Sequence, residues 1–174
     1  MGLFDKLLHK KETRANEGID TQAAPFTICA PFSGKVIPVH DIPDPVFSEG
    51  IVGLGCGIEP EEETVYAPFD GVISQIAETK HAIGITSTDG MELLIHVGID
   101  TVDMNGKGFD TLVTEGQRVK AGQPLLTFSL SQIEAAGHPT TTAVLLTNHE
   151  DFSALNLMVI GQIQHGQSIL KVSK

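Results

Sequence analysis

His81 and His96 lie fifteen residues apart, on either side of a chain reversal in the segment KHAIGITSTDGMELLIHVGID. Paired neutral imidazoles suit one of two chemistries. They can give a zinc ion two nitrogen ligands, or one ring nitrogen can carry a transferable phosphoryl group that the other ring hydrogen-bonds. Both uses require the rings to meet. AIGIT and MELLIHV are short, apolar and partly β-branched, and Ser87-Thr88-Asp89-Gly90 between them is strong turn chemistry, which predicts a β-hairpin. A four-residue loop pairs Thr86 with Met91 and sets His81 opposite His96. A loop of Asp89-Gly90 alone pairs Thr88 with Met91 and leaves the histidines diagonal on one face. Only an odd loop separates them. Ile83 and Ile85 share the face of His81, and Leu94 that of His96, so both rings are expected among aliphatic side chains. Desolvation and mutual repulsion there favour the neutral form.

A lone histidine on an apolar strand is usually a satisfied core or surface residue, and it is the pairing that argues against this. Zinc is under-supplied by the chain itself: neither Cys29 nor Cys56 stands at a ligand spacing, and Asp100 is the one nearby carboxylate. His96 and Asp100 form HxxxD, similar to half of the LytM-type zinc endopeptidase pattern, but the companion HxH is absent. His9, His40, His138, His149 and His165 fall in terminal or turn contexts and are read as solvated.

The elements that must position the pair are strands. From Thr27 onward short apolar runs are broken by Gly, Pro and Asp, with eighteen glycines in the chain and no long stretch of 3.6-residue period. APFSGKVIPV from Ala30 is echoed by APFDGVISQI from Ala67, and VKAGQPLLTF from Val119 by IQHGQSILKV from Ile163. The predicted fold is all-β: an antiparallel β-sandwich or flattened barrel with duplicated strand-turn motifs and one or two short peripheral helices. Ser131 and Glu134 form a capping box that Gly137 would end, and Asn148 is a second candidate cap.

The 174 residues suffice for one core, expected over residues 26–174. Residues 1–11, MGLFDKLLHKK, carry Leu3, Phe4, Leu7 and Leu8 at helical spacing among lysines, and residues 12–25 read as a flexible linker. The first segment is a candidate anchor on an anionic membrane surface. The formal charge of −11 argues against nucleic acid and favours a basic partner surface. The cysteines are expected to be free cytosolic thiols, and no apolar run approaches the ~18 residues that span a bilayer.

LLIHVGIDTV together with ETKHAIGI, APFSGKV, APFDGVI, IPDPVFSEGIVG and GFDTLVTEGQRVKAGQ closely resembles the glucose-type enzyme IIA component of the bacterial sugar phosphotransferase system, over nearly the whole chain. The resemblance implies an antiparallel β-sandwich and a phosphotransferase component located in the cytoplasm and transiently at the inner face of the membrane. It further implies that His96 accepts phosphate on Nε2 from the phosphocarrier HPr and passes it to a cysteine of the permease IIB domain. By the same resemblance His81 assists onward transfer, Thr79 fixes its ring, and the Gly98 carbonyl orients His96. Asp44 and Asp100 would receive a basic partner, within an apolar docking patch of Val46, Phe47, Ile51, Val52, Leu94 and Val102. Ala77 and Leu94 stand where phenylalanines are common in the family, and Lys80 where asparagine is. No cofactor is obligatory; zinc would be held by His81 and His96 only with a partner-supplied ligand. The resemblance also implies that the unphosphorylated form binds glycerol kinase and permeases outside the system, with adenylate cyclase a further candidate target, so the alternative is a regulatory module switched at His96 without efficient onward transfer. A third class, a lipoyl or biotinyl carrier, is suggested by EGQRVKAGQPLL but lacks the modified-lysine motif.

Overall fold

The computed structural model describes Thr21 and residues 23–174. The amphipathic segment and nearly all of the expected linker lie outside the described residues. Ala23 already packs against the core, and Phe26 closes against Phe152 edge to face with ring centroids 6.4 Å apart.

Fourteen strands follow: β1 (Thr27–Cys29), β2 (Gly34–Pro38), β3 (Leu54–Pro60), β4 (Thr64–Tyr66), β5 (Gly71–Ile76), β6 (Ala82–Ser87), β7 (Glu92–His96), β8 (Phe109–Thr111), β9 (Arg118–Val119), β10 (Pro124–Phe128), β11 (Thr142–Leu146), β12 (Ala154–Leu157), β13 (Gly161–Ile163) and β14 (Ser168–Ser173). Eight form one sheet in the order β13-β2-β3-β11-β7-β6-β5-β9, and the other six form two three-stranded sheets, β1-β14-β12 and β4-β10-β8, among the described residues. The large sheet ends at β13 and β9 without joining, so the flattened-barrel alternative gives way to open antiparallel sheets.

The sequence echoes are a structural duplication. Cys29 N donates to Pro68 O at 3.0 Å and Tyr66 N to Pro31 O at 2.8 Å, so the two APF turns bond each other reciprocally. Gly166 N donates to Ala30 O just as Gly122 N donates to Ala67 O, which seats each copy of the second echo on one copy of the first. Chance reuse of turn residues would not reproduce these bonds.

The main core lies beneath one face of the large sheet, where Val36, Ile58, Ile73, Ile83, Ile85, Leu93, Ile95 and Val144 meet Ile28, Val65, Leu126 and Leu170 of the small sheets. A second, smaller cluster of Ile42, Phe47, Ile99, Ala143 and Leu145 covers the opposite face of central β11, whose five residues are all buried. That cluster seats α1 (Pro45–Ser48), a short helix not expected from the sequence. Asp44 caps it, accepting from Val46 N at 2.9 Å, and Pro45 occupies the first turn.

Helix α2 (Leu130–Ala135) begins one cap earlier than expected. Ser129, not Ser131, accepts from Gln132 N at 3.2 Å. Gly137 ends it as predicted, with His138 N reaching back to Ile133 O at 3.1 Å. Asn148 precedes a single 3-10 turn, His149–Asp151, but its side chain accepts from Glu92 N and donates to Gly90 O, tying down the β6–β7 loop. Cys29 and Cys56 are both free and buried, and burial pushes the Cys56 thiol up to about 12.

Candidate functional site

The hairpin forms, in the register that was expected to part the histidines. Ala82 pairs with His96 and Thr86 with Glu92, leaving the odd loop Thr88-Asp89-Gly90. Gly90 N donates to Ser87 O and Gly90 has φ 86°, a turn closed by a left-handed glycine, which is the usual three-residue hairpin. His96 therefore shares the outer face with Leu94, while Ile83 and Ile85 point into the main core. His81 still reaches it, because it is not in the strand. It ends the loop between β5 and β6, closed by Ala77 N to Ala82 O at 3.0 Å, and Lys80 before it has φ 61°. Strand alternation does not govern a residue entered through a left-handed turn. The ring centroids lie 4.7 Å apart with planes at 78°.

Each ring is tethered through Nδ1 to a group two residues away. His96 Nδ1 lies 2.9 Å from Gly98 O, and His81 Nδ1 lies 2.6 Å from Thr79 Oγ1. A carbonyl can only accept, so the Gly98 contact puts the proton of neutral His96 on Nδ1 and leaves a lone pair on Nε2. Gly98 has φ 74°, and a Cβ there would lie 2.4 Å from Thr101 Cγ2, so only glycine turns its carbonyl this way without strain.

Electrostatics keep both rings neutral near pH 7. Burial, then the neighbouring His96, pushes His81 down to about 4; only 7 % of it is exposed. His96 is also lowered by burial, against smaller opposing effects of the Gly98 bond and the carboxylates Asp44 and Asp100. The sequence placed those two acids near the pair, and both act on His96 electrostatically.

The rest of the expected patch divides. Val46, Ile51 and Val102 are open to solvent, with 47 %, 70 % and 55 % exposure, whereas Val52 and Leu94 are half-buried. Phe47 is the most buried of the six: at 6 % exposure it belongs to the second cluster, with its ring centroid 4.8 Å from that of His96. It forms a wall of the site. Two histidines read as solvated are partnered instead. His138 Nε2 lies 2.6 Å from Asp103 Oδ1, and His165 Nδ1 lies 2.7 Å from Glu62 while its ring tilts against Tyr66. Only distant partners reveal this, so no local signal marked them. Among the described residues no group of three or more His, Cys, Asp or Glu side chains gathers at metal-binding distance.

An antiparallel sandwich holding two mutually accessible, oppositely tethered imidazoles defines a class of histidine site built for group transfer. The family model for the phosphoenolpyruvate-dependent sugar phosphotransferase system, EIIA 1, matches residues 26–152, and the chain belongs to that family. It is 38 % identical over 174 residues to the PTS system glucose-specific EIIA component of Haemophilus influenzae, covering 100 % of this chain and 99 % of that one. It is 43 % identical over 146 residues to the PTS system beta-glucoside-specific EIIBCA component of Bacillus subtilis, covering 84 % of this chain and 24 % of that longer protein. Among solved structures it is similar to the glucose permease IIA from Mycoplasma capricolum, with a TM-score of 0.76 and 31 % identity, over 83 % of this chain and 93 % of that one.

Proposed function

We propose that this chain is a phosphoryl carrier that accepts phosphate on His96 Nε2 from HPr and passes it to the IIB domain of a sugar permease at the cytoplasmic face of the membrane. The observation that carries this reading is the His96 Nδ1–Gly98 O bond, because it leaves Nε2 as the free nucleophile. The Nε2–P bond forms as the bond from phosphorus to its donor breaks. His96 keeps its Nδ1 proton, so the ring becomes cationic, a charge that Asp44 and Asp100 favour. Onward transfer reverses this: a sulfur–phosphorus bond forms on the acceptor thiolate, and neutral His96 returns. His81 donates from Nε2 to the phosphoryl oxygens in transit, with its Nδ1 accepting from the Thr79 hydroxyl. Fusion of such a domain to B and C portions in the Bacillus relative supports a IIB partner.

Exposed Val46, Ile51 and Val102 near the acidic pair support a second role, regulatory docking of the unphosphorylated form. Targets such as glycerol kinase, adenylate cyclase or permeases outside the system would bind there. Phosphorylation would place charge in that interface and weaken the contact. Zinc would enter only at such an interface, with His81 and His96 as two ligands and a partner carboxylate as a third.

The test is intact mass after incubation with phosphoenolpyruvate, enzyme I and HPr. One acid-labile phosphate on wild type and on His81→Gln, and none on His96→Gln, is the expected result. No phosphate on wild type would overturn the carrier reading.

A further inference from the structure

Thr101 is fully buried and is not among the site residues expected from the sequence. It opens the 3-10 turn Thr101–Met104, and its Oγ1 donates to Val97 O at 2.6 Å. Val97 O belongs to the peptide that precedes Gly98. The peptide that follows Gly98 is held as well, since Ile99 N donates to Pro139 O at 3.0 Å. Both peptide planes flanking Gly98 are thereby pinned. Because a peptide is planar and trans, its C=O points opposite to its N–H. Holding Ile99 N–H on Pro139 thus aims Gly98 O away from Pro139, towards His96 Nδ1. The methyl of Thr101 closes the remaining space, lying 2.4 Å from where a Gly98 Cβ would sit.

From this geometry, and resting on the phosphocarrier reading above, we infer that Thr101 is a positioning residue for phosphoryl transfer: its hydroxyl holds the Val97–Gly98 turn that fixes His96 in the Nδ1–H tautomer with Nε2 free. Without that bond the left-handed Gly98 can relax and the carbonyl swings off the ring. Neutral His96 then divides between its two tautomers, and the fraction with a protonated Nε2 is no nucleophile. Thr101 touches neither phosphate nor partner and acts only through Gly98 and His96.

Three variants test this. Thr101→Val keeps the shape and removes the hydroxyl, Thr101→Ser keeps the hydroxyl, and Thr101→Ala carries the same readouts should the valine variant not fold. The first readout is the pair of ¹⁵N imidazole shifts of His96 in the unphosphorylated protein, which report the tautomer directly. The second is the rate of phosphate acceptance from HPr. In Thr101→Val the His96 shifts should move from a single Nδ1–H form to a mixture, and acceptance should slow about tenfold; Thr101→Ser should restore both. A folded Thr101→Val with wild-type tautomer and rate would overturn the inference. So would a Thr101→Ser as impaired as the valine variant, since packing alone would then be at stake. If wild type takes no phosphate, the carrier reading fails, while the tautomer shifts still decide the role of Thr101.

Discussion

The two imidazoles are held in nearly the same way and are left with opposite capacities. Each is tied at Nδ1 to a group two residues along the chain, Thr79 before His81 and Gly98 after His96. The tether of His96 is a carbonyl, which can only accept, so its tautomer has one solution. The tether of His81 is a hydroxyl, which can donate or accept, so His81 can carry its proton on Nε2 and offer it to a neighbour. One ring with a free Nε2 lone pair beside one able to donate from Nε2, rather than two equivalent bases, follows from that one difference in acceptor chemistry. The supports differ in the same sense. The Gly98 turn is pinned through Thr101 and Pro139 and Phe47 packs against the His96 ring, whereas His81 hangs on a short loop and follows left-handed Lys80.

Gly98→Ala should break the contrast most severely. The new Cβ would meet Thr101 Cγ2 at 2.4 Å in a backbone conformation that alanine resists, so the carbonyl must turn away from His96. Phosphate acceptance in a quenched-flow assay should fall by about a hundredfold, the scale of a misplaced reacting group. A rate within twofold of wild type would mean that His96 keeps its tautomer by other means.

Removing the other tether should act on the other half of the cycle. Thr79→Val deletes the hydroxyl opposite His81 Nδ1. Acceptance from HPr should stay near wild type, while single-turnover transfer from phosphorylated protein to a IIB domain slows about tenfold. Thr79→Ser should recover the rate. Equal slowing of both steps would show that the two tethers do not divide the labour.

The smallest effect should be on stability. His81 titrates near 6.5 when unfolded and is pushed down to about 4 by burial in the folded state. The unfolded chain therefore binds more protons between those values, and the neutral burial of His81 favours folding fully only above pH 6.5. That contribution should be lost as pH falls towards 4, on the order of 2–3 kcal/mol. Thermal unfolding between pH 7 and pH 4 should show a shallower fall in Tm for His81→Gln than for wild type. An identical slope would place the titration elsewhere.

Much of this was legible in the chain. The hairpin was announced by Ser87-Thr88-Asp89-Gly90, and the duplication by the repeated APF and AGQ or HGQ turns. The register was not: the odd loop depends on where Gly90 takes positive φ, and four turn-forming residues allow several answers. The meeting of the rings survived that error only because His81 lies outside the strand. Asp44-Pro45 did carry a helix-start signal for α1. That Phe47 beside it would be buried against His96 rather than exposed required the second cluster over β11, which no local pattern reveals.

By itself the sequence determined which groups can do chemistry: two imidazoles near one turn, a glycine able to present a carbonyl, a hydroxyl two residues from one ring, and acids rather than cations around them. These are properties of residue type and short spacing, and no folding can add to them. Tertiary structure alone decided how each ring is held, and so which Nε2 is left with a free lone pair. That choice rests on the direction of a single carbonyl, set by Thr101 and Pro139 across the Gly98 turn, and peptide planes take their orientation from distant hydrogen bonds rather than from neighbours in the chain.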